Sequence, residues 1–303
     1  MAVNCAIETD SKLPAPSQNQ AVQLKYIQWR DEFHFEKPYE FVSETPDGLP
    51  RSNFSLGFGP VETIHDLRGR ETEFDLDNHA FEIRSQRLTV SLFDQRTIEK
   101  EYLPSIVSLL QELDPGAEVY IFDWRLRSSD RKKSKFVPGA VIDLDEPLLY
   151  LEPVHAVHVD QSPAAARKRV WNHMGDRAQE LIRRRFRIIN VWRPLLNTIE
   201  NFPLAVCDGS TLSTDRLLAV DHVRKYYVGE SLYPMASAEY RWYYLGQQTK
   251  DEVLLFKTFD SSELVPAKCC PHTSFAQSGV RAEANPRESI EVRALVFSVD
   301  NVV

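Results

Sequence analysis

Long apolar runs are missing from this 303-residue chain. No stretch approaches the roughly 18 consecutive apolar residues of a membrane span, so a helical membrane protein is not expected. The opening MAVNCAIETDSKLPAPSQNQ has neither a basic head nor an apolar segment behind it, so no secretory signal is expected there. Cysteine is scarce. Cys5, Cys207, Cys269 and Cys270 include one adjacent pair and no C-x-x-C, which argues against a disulfide framework and for a reducing, cytoplasmic home. Basic residues are outnumbered, 36 against 44 acidic, for a net charge of −8. Nucleic-acid binding normally needs a basic stripe and is disfavoured, although a locally positive pocket is allowed. There is no G-x-G-x-x-G and no P-loop, so dinucleotide and nucleotide sites of those kinds have no support. No internal repeat is present.

What is there reads as an ordinary globular composition, 43% apolar and 26% charged. Residues 1–20 are polar with prolines at 14 and 16 and read as a mobile arm, leaving 21–303 as one domain. The aromatic, Pro- and Gly-rich stretch 26–60 suits irregular structure anchored over a core by its rings. FEIRSQRLTVSLF (81–93) alternates as a strand should. In 99–113, Tyr102, Ile106, Leu109, Leu110 and Leu113 fall at helical spacing, and Asp114-Pro115-Gly116 stops the helix. AEVYIFDWRLR (117–127) is the next strand. A second helix is expected over 164–185, with Ser162 as its N-cap and Pro163 in its first turn. Its RRRFR run (183–187) invites a nucleic-acid reading but more simply complements the helix dipole. Strand-like runs follow at 187–195, 204–208, 241–245, 252–260 and 289–299. Because these strands lack interleaved helices, an antiparallel sandwich or barrel with packed helices is favoured over a doubly wound parallel sheet.

The chemistry centres on His158-Val159-Asp160. With 8 histidines and 44 acids, a His-x-acid pair arises by chance about once, and His34-Phe35-Glu36 is such a decoy. The setting separates the two. VHAVHVD (154–160) is β-prone, and on a strand 158 and 160 share one face while His155 takes the other. An imidazole and a carboxylate so placed supply two thirds of a 2-His-1-carboxylate metal site. The third ligand should come from a distant strand end, and His272 in AKCCPHTSF follows the strand 252–260. In the last strand, Ile290, Val292, Ala294 and Val296 form an apolar face. The opposite face, Arg287, Ser289, Glu291, Arg293, Leu295 and Phe297, is polar at one end and apolar deeper in. That is the pattern of a strand lining a barrel mouth. A guanidinium and a hydroxyl there can grip a carboxylate.

His-x-Asp, a distant His and then Arg-x-Ser resemble the Fe(II)/2-oxoglutarate-dependent oxygenases. The blocks 67–83 (LRGRETEFDLDNHAFEI), 190–195 (NVWRPL), 259–262 (FDSS), 270–275 (CPHTSF) and 286–297 (PRESIEVRALVF) are similar, in order, to one branch. It is the fungal secondary-metabolism hydroxylase/desaturase group related to cephem 7α-methoxylase components. The resemblance spans about Ser52 to Val299. It implies a double-stranded β-helix (jelly-roll) core, with Fe(II) held by His158, Asp160 and His272. It further implies 2-oxoglutarate as cosubstrate, gripped through its distal carboxylate by Arg287 and Ser289, and dioxygen as oxidant. Because 15 residues separate His272 from Arg287, Arg293 on the same face is a contender. The implied reaction is hydroxylation, desaturation or oxidative cyclisation at an unactivated C–H of a small molecule. No side chain beyond the metal ligands need be catalytic.

Other readings stand beside it. A structural zinc could use Cys269, Cys270 and His272, although adjacent cysteines splay apart. A metal-free sandwich would use His158 and His272 as hydrogen-bonding core residues. A non-catalytic half of a heterodimer is a further alternative, and a homodimer is open. Asn190 and Arg193 are candidates for substrate or cosubstrate contact, with pairing to an interior acid as the equal alternative for Arg193. Trp192 reads as wall. Tyr240, Trp242, Tyr243 and Tyr244 read as core, or else as an aromatic wall for a small or medium-sized, partly apolar substrate.

Overall fold

The computed structural model describes residues 18–42, 44–134, 146 and 148–302. In chain order its strands are β1 (Gln20–Ile27), β2 (Tyr39–Phe41), β3 (Leu56–Asp66), β4 (Phe81–Ser85), β5 (Glu118–Ser128), β6 (Tyr150–Leu151) and β7 (Arg184–Pro194). They continue with β8 (Leu204–Cys207), β9 (Leu217–Val223), β10 (Val228–Pro234), β11 (Trp242–Tyr244), β12 (Glu252–Asp260), β13 (His272–Ser274) and β14 (Glu288–Val302). They form a six-stranded sheet β4-β12-β7-β14-β5-β6, a five-stranded sheet β1-β3-β11-β8-β13 and a three-stranded sheet β10-β9-β2. Pairing is mostly antiparallel, as the lack of crossover helices demanded; β3–β11, β2–β9 and β5–β6 are parallel.

The six- and five-stranded sheets pack face to face. Trp192 of β7 and Leu254 and Phe256 of β12 meet Leu204 and Val206 of β8 and Tyr243 of β11. The alternate residues of the same strands, Val191, Val253 and Leu255, face outward with Val292 of β14 onto the helix Leu103–Leu113. A strand covered on both faces must be apolar at successive positions; β12 reads that way from Val253 to Phe256 and β7 at Ile188-Ile189 and Val191-Trp192. Ile106 is fully buried in the outer layer. Its truncation to alanine should cost about 2–5 kcal/mol in urea denaturation. Iron binding should be spared, because the residue lies on the face of the sheet turned away from His158.

Several expectations shift. Residues 18–20, expected to belong to the arm, are tied into the fold. Residues 1–17 lie outside the described residues, but Gln18 donates its backbone N–H to Asp66 (3.1 Å) and Gln20 is buried at the start of β1. The strand expected over 81–93 ends at Ser85, because its partner β12 begins opposite it at Glu252; beyond that the ladder gives way to single bonds from the Gln86 and Leu88 N–H groups to Asp251. The first helix begins early, at Gln95 behind an Asp94 cap, and passes through a π-helical turn at Ile98–Tyr102. The second helix stops at Met174, where Gly175 (φ +53) takes a backbone conformation that β-carbons disfavour. The RRRFR run therefore falls largely on β7, directly after a short helix at Ala178–Leu181, and not in the last turn of one long helix. Arg185 pairs with Asp260 (2.6 Å) and Asp77, and Arg187 with Asp114. Within 26–60, Tyr26 and Phe41 are core anchors, whereas Phe35 is 94% exposed. β3, with two glycines and a proline, was not foreseen; nor were β1, β9 and β10.

Candidate active site

VHAVHVD is not a strand of one sheet. It is an extended segment that makes single bridges to three neighbours: Ala156 to Lys25 of β1, His158 to His272 of β13, and Val159 to Leu232 of β10. It thereby ties the five-stranded sheet to the three-stranded one. The local face logic survives. His158 and Asp160 point together, while the His155 ring turns away onto Phe202 (5.4 Å) and its Nδ1 meets the Ser274 carbonyl. Reciprocal backbone bonds between His158 and His272 hold their rings 4.4 Å apart. Asp160 Oδ1 lies 3.4 Å from His158 Nε2 and 3.9 Å from His272 Nε2.

The orientation of each donor has a visible cause. His158 Nδ1 donates to the Ala156 carbonyl (2.8 Å) and His272 Nδ1 to the Cys270 carbonyl (3.1 Å). A carbonyl can only accept, so both protons sit on Nδ1 and both Nε2 lone pairs face Asp160. Asp160 Oδ2 is tied back by Asn190 Nδ2 (2.7 Å) and Arg293 Nε (3.0 Å), which leaves Oδ1 for the shared space. Burial disfavours the Asp160 anion, but the Arg293 guanidinium outweighs it and holds the carboxyl well below its usual range. Burial and the neighbouring His158 push the His272 imidazole down to about 3. Among the described residues, His158, Asp160 and His272 are the group of side chains able to share an ion, their donor atoms all within 4.8 Å. Cys269 and Cys270 do not join it. Cys270 donates to the Cys207 carbonyl in the core, and burial pushes the Cys269 thiol up to about 12, which removes the basis for a zinc site there.

The two arginines of β14 prove unlike. Arg293 is saturated with carboxylates: Asp160, Asp123 (2.8 Å) and Glu291 (2.6 Å). Arg287 is 3% exposed and meets only neutral acceptors: the Phe202 carbonyl (2.7 Å), Ser274 Oγ (3.0 Å) and Ser289 Oγ (3.2 Å). It lies over the Trp192 ring at 5.0 Å. Burial and then Arg127 pull this guanidinium down to about 9, the signature of a buried cation lacking an anion. A narrow space runs from His158 and His272 past Thr273 and Ser274 to Arg287. On the other side of His158 and Asp160 opens a cavity of about 790 Å³.

A family profile described as "Oxidoreductase/YMDC permease-like domain" matches residues 24–297. The Fe(II)/2-oxoglutarate-dependent dioxygenase nvfI of Aspergillus novofumigatus is 32% identical over 86% of this chain and 91% of its own. The hydroxylase/desaturase efuI of Hormonema carpetanum is 33% identical over 78% of this chain and 83% of its own. The solved structure of the iron and alpha-ketoglutarate-dependent endoperoxidase NvfI superposes with a TM-score of 0.79 at 29% identity, covering 93% of this chain and 98% of that one. The chain is an Fe(II)/2-oxoglutarate-dependent dioxygenase of the hydroxylase/desaturase family.

The oxygenase thus has the jelly-roll core expected of it and uses Fe(II), 2-oxoglutarate and dioxygen on a small molecule. Despite "permease" in the family description, none of the described helices is long and apolar enough to cross a membrane. Arg193 is not part of the oxygenase's site. It points to the outer layer, donating to the Gln86 carbonyl (2.8 Å) and side chain beneath Tyr102, with no interior acid. Asn190 is at the site, but against Asp160. Tyr240, Trp242 and Tyr244 pack into a core behind β8 and Tyr243 between the sheets, none of them on the cavity beside His158. Arg127, Asp123, His222 and Arg224 line that cavity and were missed. For the first two a signal existed: β5 carries charge at 123, 125 and 127, alternate positions of a strand paired across to Arg293, Glu291 and Ser289.

A pH test follows from His272. Its unfolded imidazole titrates near 6.5 and its folded one near 3. Between those values the unfolded chain binds the extra proton, so metal-free enzyme should lose stability as pH falls from about 6.5 towards 3. His272→Gln should flatten that slope in thermal melts; an unchanged slope would refute the assignment.

Proposed function

We propose that His158, Asp160 and His272 hold Fe(II), that Arg287 and Ser289 hold the distal carboxylate of 2-oxoglutarate, and that residues 21–303 work as one domain. The enzyme would oxidise an unactivated C–H of a secondary-metabolite intermediate by hydroxylation, desaturation or oxidative cyclisation. The observation that carries the reading is the aimed donor set: two Nε2 lone pairs and one Asp160 oxygen converge while every other polar atom of the three side chains is engaged. Iron bound there would activate dioxygen with 2-oxoglutarate as electron source. The chain's own residues supply position. Arg293 and Asn190 fix the carboxylate, the carbonyls of Ala156 and Cys270 fix the two tautomers, and buried Arg287 offers a charge that only an anion satisfies. No general base is required, so placement of the substrate carbon decides the outcome. The intact ligand set speaks against a non-catalytic partner subunit. The free thiols of Cys207, Cys269 and Cys270 fit a reducing, cytoplasmic setting.

Chelator-stripped protein given 2-oxoglutarate in air should release succinate slowly on adding Fe(II) and not on adding Zn(II). Release should accelerate when a true substrate enters, with a +16 mass change for hydroxylation or −2 for desaturation or cyclisation. Equal turnover with zinc would sink the reading.

A further inference from the structure

The cavity above His158 and Asp160 is walled by β5, by β9 and β10 with the turn between them, and by the helix Pro163–Met174. Its charges are unevenly satisfied. The acids are engaged: Asp123 by Arg293 and Arg125 (3.0 Å), Glu230 by Lys37, and Glu99 by Gln95 (2.9 Å). Three cations are not: Arg127, Arg169 and Arg224 have no carboxylate within ion-pair distance among the described residues. Arg127 donates to the Glu152 carbonyl (2.8 Å) and also lines the narrow space that leads to Arg287, so it belongs to the cosubstrate end. Arg169 is held instead by aromatic faces, its guanidinium 5.0 Å from the Phe122 ring and 5.4 Å from Tyr227, and its buried Nε has no hydrogen-bond partner. Stacking orients a guanidinium without using its in-plane donors, so the fork remains available to a planar anion. His222, on the same wall, is pushed down to about 4, chiefly by burial and then by His158 and Arg224.

We propose that this cavity takes a substrate bearing a carboxylate on an aromatic or cyclic apolar body, with Arg169 and Arg224 receiving the carboxylate. This rests on the reading of His158 and Asp160 as the iron end. Trp124, Phe122 and Tyr227 supply the apolar wall. The charged group is anchored at the arginines, so the body lies towards Asp160, which places a ring carbon and not the carboxylate at the oxidising centre. It also distinguishes the substrate from 2-oxoglutarate, whose carboxylate goes to Arg287 in the adjoining narrow space.

The test uses full-length protein loaded anaerobically with Fe(II) and saturated with 2-oxoglutarate, titrated calorimetrically with 2-naphthoic acid and, separately, 2-naphthamide. The acid should bind about ten-fold tighter or better, a margin set by one charge-assisted bidentate pair, and should weaken as salt rises. The Arg169→Gln, Arg224→Gln double variant should lose that preference, and the double lysine variant should keep part of it. Should the double glutamine variant not fold, Arg224→Gln alone, at an exposed position, should reduce the preference about three-fold or more. Equal affinity for acid and amide, no binding of either at millimolar concentration, or an acid preference that survives the glutamine substitutions would overturn the proposal. Failure of the iron reading shows separately, as absence of the iron–2-oxoglutarate charge-transfer band in wild type before either probe is added.

Discussion

Asp160→Ala should abolish tight Fe(II) binding and leave the fold standing. The carboxylate is the one charged protein donor of the three, and its loss leaves two neutral imidazoles that cannot hold a hard divalent ion in place. A buried ion pair broken on one side usually costs about 3–5 kcal/mol, because the remaining charge is orphaned. Here Arg293 keeps Asp123 (2.8 Å) and Glu291 (2.6 Å), so the surviving guanidinium stays compensated and the destabilisation should be smaller. Anaerobic Fe(II) titration with circular dichroism on the same sample checks both halves. His158→Ala and His272→Ala should behave alike, and His34→Ala and His155→Ala should bind iron normally. An Asp160→Ala protein that bound iron as wild type does would refute the ligand set.

Arg287→Ala should raise the 2-oxoglutarate requirement by roughly two to three decades with iron binding spared. The size follows from losing a desolvated guanidinium–carboxylate pair, and the direction from Arg287 having no anion of its own. Without cosubstrate the variant should be no less stable than wild type, since an uncompensated buried cation is removed. That second readout separates a binding role from a structural one. Arg293→Ala is expected to act differently, releasing Asp160, Asp123 and Glu291 from their shared cation and impairing iron retention first. If succinate release instead showed Arg293→Ala with the large 2-oxoglutarate effect and Arg287→Ala with a small one, the two roles would have to be exchanged.

Which parts were legible in the residues depends on the range of the forces involved. β12 and β14 were readable because burial on both faces or on alternating faces writes itself into consecutive residues. Val253 through Phe256 are apolar without interruption, and β14 alternates polar and apolar positions from Ser289 to Arg293. His158 and Asp160 were readable because a spacing of two residues is a local geometry. The resemblance in ordered blocks supplied His272 and the cosubstrate arginine. The early end of the 81–93 strand was not legible, because it is set by where the partner strand begins, 160-odd positions away.

The amino-acid sequence by itself determined the mainly β class, the packed helix at 103–113, the His-x-Asp pair and the family, since each rests on neighbouring side chains or on their order. The tertiary structure decided what those features cannot carry. It put Arg193 on the outer face, gave Arg293 to Asp160, left Arg287 without an anion, and gathered Arg169 from a helix and Arg224 from the β9–β10 turn around one cavity. The physical reason is that an ion pair or a cavity wall forms between residues far apart in the chain. Whether a buried charge is satisfied is then a property of its surroundings and not of its neighbours in sequence.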